Sequence, residues 1–238
     1  MKAWLNLRHG VPERHRAFLR GLERCGYSVV DALTTRPGHR DILVTWNRIG
    51  DGQTAAAAFE SRGLPVIVAE NASWGNEFAG WGWYTLGLGR HNTAGAFPEG
   101  GPERWDSLGV RLPAFRTSGE TVILAQRGIG TPPTRSPTGW EHGALARYGG
   151  RVRSHPGLRD AVPLERDLAD AGRVVTWGSG AAIKALLMGV PVVSEMPGWI
   201  GEQDNTDAGR LAMFRRLAWA QWTLDEIASG EPFARLLA

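Results

Sequence analysis

Residues Val174 to Glu195 read VVTWGSGAAIKALLMGVPVVSE. The apolar pair Val174-Val175 stops at a small polar turn, Thr176-Trp177-Gly178-Ser179-Gly180. A helical segment of Ala, Ile and Leu follows, Gly189 ends it, and Pro191-Val192-Val193 opens a second apolar run. Strand, glycine turn, helix, strand is one βαβ unit, the building block of a parallel sheet. The turn lies where the helix begins. Backbone N–H groups there lack intrahelical partners and the helix dipole is positive, so an anion is favoured. Ser179 adds a hydroxyl donor, and a phosphate is the natural guest.

The pattern extends on both sides. Upstream, Thr121 to Ala125 reads as a strand running into Gln126-Arg127-Gly128. Thr131 to Thr138 is rich in proline, and Trp140 to Tyr148 reads as a short helix. Arg151 to Arg153 is a strand ending at Ser154-His155-Pro156-Gly157. Downstream, a polar loop over Met196 to Asn205 leads to one long final helix, with Leu211, Phe214, Leu217, Ala218 and Trp222 near helical spacing.

The first half shows the same alternation. Lys2 to Leu7, Tyr27 to Ala32, Asp41 to Trp46 and Pro65 to Ala69 read as strands. Pro12 to Arg24 and Ala55 to Arg62 read as helices, stopped by Gly26 and Gly63. Strands alternating with helices imply a wound, parallel sheet. From Asn71 to Phe115 the periodicity dissolves into glycines and tryptophans, and a segment of that length is read as functional. The expected organisation is an N-terminal α/β lobe over 1–115, a second over 120–205, and a C-terminal helix over 206–238 packing back on the body.

Composition bounds the function. The chain has 238 residues, enough for one large or two small domains, with 42% apolar and 21% charged residues. A net charge of +3 permits a nucleic-acid partner without demanding one. Cys25 is the sole cysteine, which rules out an internal disulfide and fits a cytoplasmic location. No apolar run nears the roughly 20 residues needed to span a bilayer, and MKAWLNLRHG lacks a signal-peptide core. The six histidines show no HxxxH or HExxH spacing and no DxD element occurs, so no metal site is indicated, although a Mg²⁺ could accompany a diphosphate. Most of the 11 tryptophans read as packing; two or three beside glycine could stack on a sugar or base.

In a parallel sheet, ligands bind beyond the carboxyl ends of the strands. Three such ends carry polar turns, and together Arg127, His155 and the Thr176–Gly180 turn could hold a diphosphate or phosphodiester. Arginines over Arg8 to Arg24 and at Arg210, Arg215 and Arg216 read either as a polyanion track or as solvated helix faces.

The run Ser179 to Val192 resembles the donor-site motif of GT-B glycosyltransferases: a Ser, a helix carrying Glu-Ala-Leu, then Gly-x-Pro-Val. His155-Pro156 resembles the HP element of bacterial sialyltransferases and capsule-type Kdo transferases, which pair it with a Ser/Thr element. The resemblance covers roughly Glu120 to Glu195. It implies an α/β, GT-B-like fold of two Rossmann-like lobes facing a cleft, and a glycosyltransferase using a nucleotide-sugar. By this resemblance His155, Ser179 and Thr176 contact the nucleotide phosphates, supported by Arg127 and the backbone at Gly178 and Gly180. Lys184 stands where many such enzymes have a ribose-binding Glu; it faces a phosphate or is a solvated helix residue. Glu195 and Glu202, near the donor turn, are candidates to hold sugar hydroxyls.

The first lobe then supplies the acceptor side. An inverting transfer needs a base for the acceptor proton. Glu70, ending the strand PVIVA, is the first candidate, His91 the second and Asp51 the third. The acceptor is read as a hydroxymethylated base in DNA, as in phage DNA glucosyltransferases, or as a cell-surface saccharide. A sugar-nucleotide epimerase or hydrolase, and a non-catalytic nucleotide- or polyanion-binding module, are the alternatives from other classes.

Overall fold

The computed structural model describes residues 1–7, 10–74, 82–90, 94–157 and 162–238. In chain order its elements are β1 (Lys2–Asn6), α1 (Pro12–Arg24), β2 (Ser28–Val30), β3 (Ile42–Trp46), α2 (Asp51–Glu60), β4 (Val66–Asn71) and β5 (Trp83–Leu88). Then come α3 (Glu103–Asp106), β6 (Glu120–Leu124), α4 (Trp140–Tyr148), β7 (Arg151–Arg153), α5 (Leu164–Asp167) and β8 (Ala171–Thr176). The chain closes with α6 (Ala181–Leu187), β9 (Val192–Ser194), α7 (Asp207–Ala218), β10 (Gln221–Thr223), α8 (Leu224–Ser229) and α9 (Glu231–Leu237).

Two compact units result: Met1–Arg104 with Ala218–Ala238, and Trp105–Leu217. Residues 105–115 and 206–217 thus fall with the second unit, and 218–238 with the first.

The first unit holds a six-stranded sheet in the order β10-β5-β4-β3-β1-β2. The strands β1 to β4 are mutually parallel, whereas β5 runs antiparallel to both its neighbours, β4 and β10. Central β3 is buried at all five residues, as a strand covered on both faces must be. Helix α1 starts with Pro12 in its first turn, where a missing N–H has no consequence, and buries Arg14, Ala17, Phe18, Gly21 and Leu22 along one stripe. Gly21 permits the closest approach: a Cβ there would lie 1.9 Å from the Ile227 carbonyl oxygen of α8.

Two expectations fail in this unit. The glycine–tryptophan stretch contains β5, which pairs with β4 in the register Glu70↔Thr85. The single C-terminal helix is instead a helix, a strand and two short helices. Trp222 is fully buried in β10 rather than on a helix face. A capping box at Thr223 and Glu226 starts α8, and Gly230 at φ 89° separates α8 from α9.

The second unit holds a four-stranded, wholly parallel sheet in the order β7-β6-β8-β9. Its βαβ unit is β8-α6-β9, at the place the sequence indicates. Most described tryptophans are buried, including Trp46, Trp105, Trp140 and Trp222. No helix among the described residues is long and apolar enough to cross a membrane.

Candidate functional site

Because β6 to β9 are parallel, their carboxyl ends share one edge of the second sheet. The turn after β8 is built by its own side chains. Thr176 is fully buried, and its hydroxyl accepts from the Ser179 N–H at 2.9 Å. The Ser179 hydroxyl accepts from the Ala181 N–H at 3.2 Å. Two of the N–H groups expected to face an anion are therefore engaged inside the turn, and Thr176 shapes the turn from below. The Ser179 hydroxyl keeps its own hydrogen to donate. Gly178 lies against Met196, whose sulfur would sit 2.9 Å from a Cβ at that position. Gly180 has helical dihedrals at the start of α6.

The structure brings His155 and Arg127 together. A Cβ on Gly157 would lie 3.2 Å from His155 Nδ1 and 3.5 Å from both Cδ and Nη1 of Arg127. The Gly157 N–H donates to His155 Nδ1 at 2.9 Å, so the imidazole carries its proton on Nε2. Burial, then the positive charges of Arg127 and Arg153, lower the His155 pKa below its ordinary 6.5. The result is a neutral imidazole with an N–H donor beside a guanidinium. One residue ahead of Arg127, the side-chain oxygen of Gln126 is buried with no hydrogen-bond partner among the described residues. Such an acceptor costs about 1–3 kcal/mol unless something donates to it.

The carboxylates proposed for sugar hydroxyls are placed otherwise. Glu195 accepts from Trp140 Nε1 at 2.7 Å and pairs with Arg147 at 2.6 Å. Burial alone would raise its pKa; the Arg147 and Trp140 hydrogen bonds outweigh that and lower it. It ties α4 to the end of β9 and does not offer its oxygens outward. Its partners lie 48 and 55 residues away, beyond any local sequence signal. Glu202 is exposed, with its carbonyl accepting from Arg216. Lys184 is half-buried on α6.

Several of the clustered arginines are engaged within the fold, while Arg16, Arg20 and Arg24 of α1 are exposed. Arg210 is 2% exposed and donates to the Pro113 and Leu186 carbonyls and to Asp207. Arg215 pairs with Asp106 at 2.8 Å, and Arg216 donates to the Ile200 and Glu202 carbonyls. Arg14 is buried with its guanidinium 4.3 Å from the Trp46 ring. Arg8 lies outside the described residues. Among the described residues, no three His, Cys, Asp or Glu side chains gather to hold a metal ion.

In the first unit, parallel β1, β3 and β4 likewise end at one edge. Glu70 is the next-to-last residue of β4, opposite Thr85, and is half-buried. Asp51 is the exposed first residue of α2, where a carboxylate complements the helix dipole. His91 lies outside the described residues.

The chain matches no protein-family model and no curated protein sequence. Solved structures do match. The beta Kdo 2,4 transferase of Thermosulfurimonas dismutans KpsC aligns with a TM-score of 0.58 at 14% identity, over 96% of this chain and 98% of that one. The beta Kdo 2,7 transferase of the same KpsC aligns at 0.49 and 10% identity, over 98% and 99%. At 14% identity the first likeness defines architecture, and with the two sheets it gives a GT-B-like α/β fold.

Proposed function

We propose that this chain is a glycosyltransferase that moves a sugar from a nucleotide-sugar donor to an acceptor hydroxyl. The observation that carries the reading is the meeting of His155 and Arg127 at Gly157, on the edge of the second sheet to which the Ser179 turn also belongs. A neutral imidazole N–H, a guanidinium and a serine hydroxyl are donors suited to a diphosphate or phosphodiester. One similar solved structure is a beta Kdo 2,4 transferase, which adds a Kdo donor to those worth screening.

In the reaction, the acceptor oxygen forms a bond to the anomeric carbon as the bond from that carbon to the phosphate oxygen breaks. The electron pair leaves with the nucleotide. His155 Nε2–H, Arg127, Ser179 and the Gly178 and Gly180 backbone would stabilise the charge that gathers there. Gln126 offers an acceptor for a donor hydroxyl or amine. The acceptor proton passes to a base, for which Glu70 is the proposed residue and Asp51 the second candidate. A saccharide acceptor is favoured over DNA, because Arg210 is buried and Arg215 is neutralised by Asp106, which weakens a basic track along that helix.

A thermal-shift screen over UDP-, GDP-, CMP- and dTDP-sugars tests the proposal. A rise in melting temperature with at least one of them, lost in His155→Ala, is the expected result; no rise with any would overturn it. Acceptor binding that weakens steeply with added salt would favour DNA after all.

A further inference from the structure

The turn from β3 into α2 places two consecutive side-chain-bearing residues in the left-handed region, Asn47 at φ 61° and Arg48 at φ 49°. Such a conformation persists only where its surroundings over-determine it. Arg48 supplies the restraint. It is 9% exposed and donates to Gln53 Oε1 at 2.9 Å and to the two Glu60 oxygens at 2.6 and 2.9 Å, both residues on α2. It also donates to the Gly89 carbonyl beyond β5. The Asn47 N–H donates to the Ala69 carbonyl of β4 at 3.1 Å.

This corner sets the direction of one side chain. With the Asn47 amide oriented to match the donors and acceptors around it, its oxygen accepts from Trp46 Nε1 at 3.2 Å and its nitrogen donates to Glu70 Oε1 at 3.2 Å. Trp46 is itself 8% exposed and packs edge-on to Tyr84, with ring centroids 6.1 Å apart. The Glu70 carboxylate is thus held by an amide that is fixed at its other end by a buried indole and at its backbone by the braced turn. A carboxylate that must meet a particular hydroxyl gains from such restraint, because proton transfer requires geometry before basicity.

We infer that Asn47 is a positioning residue for the Glu70 carboxylate, and that the β3–α2 corner is held in its left-handed form to keep the Asn47 amide there. The inference rests on the reading of Glu70 as base. The informative variant is Asn47→Gly, which suits the left-handed backbone better than asparagine and removes only the amide.

In the 238-residue chain, turnover is read as nucleotide released from UDP-, GDP-, CMP- and dTDP-sugars. Asn47→Gly is expected to melt at or above the wild-type temperature and to bind donor unchanged. Its kcat should fall by tens of fold, up to roughly a hundredfold. In a Glu70→Gln background the same change should have no further effect, since coupled residues are not additive. A wild-type kcat in Asn47→Gly beside an inactive Glu70→Gln overturns this inference alone; full activity in Glu70→Gln overturns the base reading as well. A second measurement needs no turnover. The Asn47 side-chain amide signal in a ¹⁵N spectrum should move in Glu70→Gln, and an unmoved signal shows the contact to be absent.

Discussion

The two sheets share a wound plan but end differently. At the carboxyl edge of the first, a carboxylate (Glu70) is gripped by an asparagine on a strained corner. At the carboxyl edge of the second, N–H and O–H donors prevail: His155, Arg127 and Ser179. The first sheet closes with two antiparallel strands, and the second is parallel throughout. On the proposed reading, Glu70 of the first unit would take the acceptor proton and the donors of the second unit would bind the leaving anion. The contrast teaches that architecture repeats while the side chains beyond the strand ends divide the chemistry.

That division predicts that first-sheet variants alter rate and second-sheet variants alter donor affinity. The largest effect belongs to Glu70→Gln, which should lower kcat by about 10²–10⁴-fold with donor affinity intact, measured by steady-state kinetics beside calorimetry. Unaltered kcat would remove the first half of the contrast. Next, Phe18→Ala should destabilise the first unit by about 3–5 kcal/mol, since Phe18 is fully buried. Urea melts with hydrogen exchange should place the loss in residues of the first unit. Smaller again, His155→Ala and Ser179→Ala should each weaken donor binding by about 1.5–3 kcal/mol, the range for hydrogen bonds to charged groups. Calorimetry that found donor affinity unchanged in both would dissolve the second half.

The smallest effects are in pH. The fold lowers the His155 pKa below 6.5, so it favours the neutral form. Its contribution to stability is complete above 6.5 and is lost as pH falls through the lowered value. A bound phosphate favours the charged form, so donor binding should tighten on acidification from pH 7, and His155→Ala should flatten that dependence. Glu195 is also lowered, here from an ordinary 4.5. Its contribution is present above 4.5 and disappears as pH falls through its lowered value. Glu195→Gln should remove that acid dependence from chemical melts and leave donor affinity as it was.

The second sheet was legible in the sequence because each strand end there is followed by a glycine-bearing turn within a few residues. The α1 span over Pro12 to Arg24 was legible for the same local reasons, a proline at its start and a glycine just past its end. Strand β5 was hidden because its middle residues are buried on both faces, which erases alternation. Strand β10 has three residues, too few to show a period, and follows a true helix in phase with it. The partner of the Thr176 hydroxyl is three residues on and could have been anticipated as a turn motif. The partners of Glu195 could not, since only the folded sheet brings Trp140 and Arg147 to it. Asn47 gave no warning either: Gly50 marks a turn before α2, but the left-handed backbone at Asn47 and Arg48 is braced by the fork of Arg48, which only the fold brings to Glu60 and Gly89.

The return of β10 to the first sheet carries a consequence for synthesis. Strand β5 borders β10, so when translation has reached Leu217 the first sheet still lacks its outermost strand, while every residue of the second unit has been made. The whole of the second unit is therefore synthesised before the strand that completes the first sheet. Until the closing residues emerge, the nascent chain presents the open rim of β5, a surface on which chaperones or a neighbouring nascent chain can act.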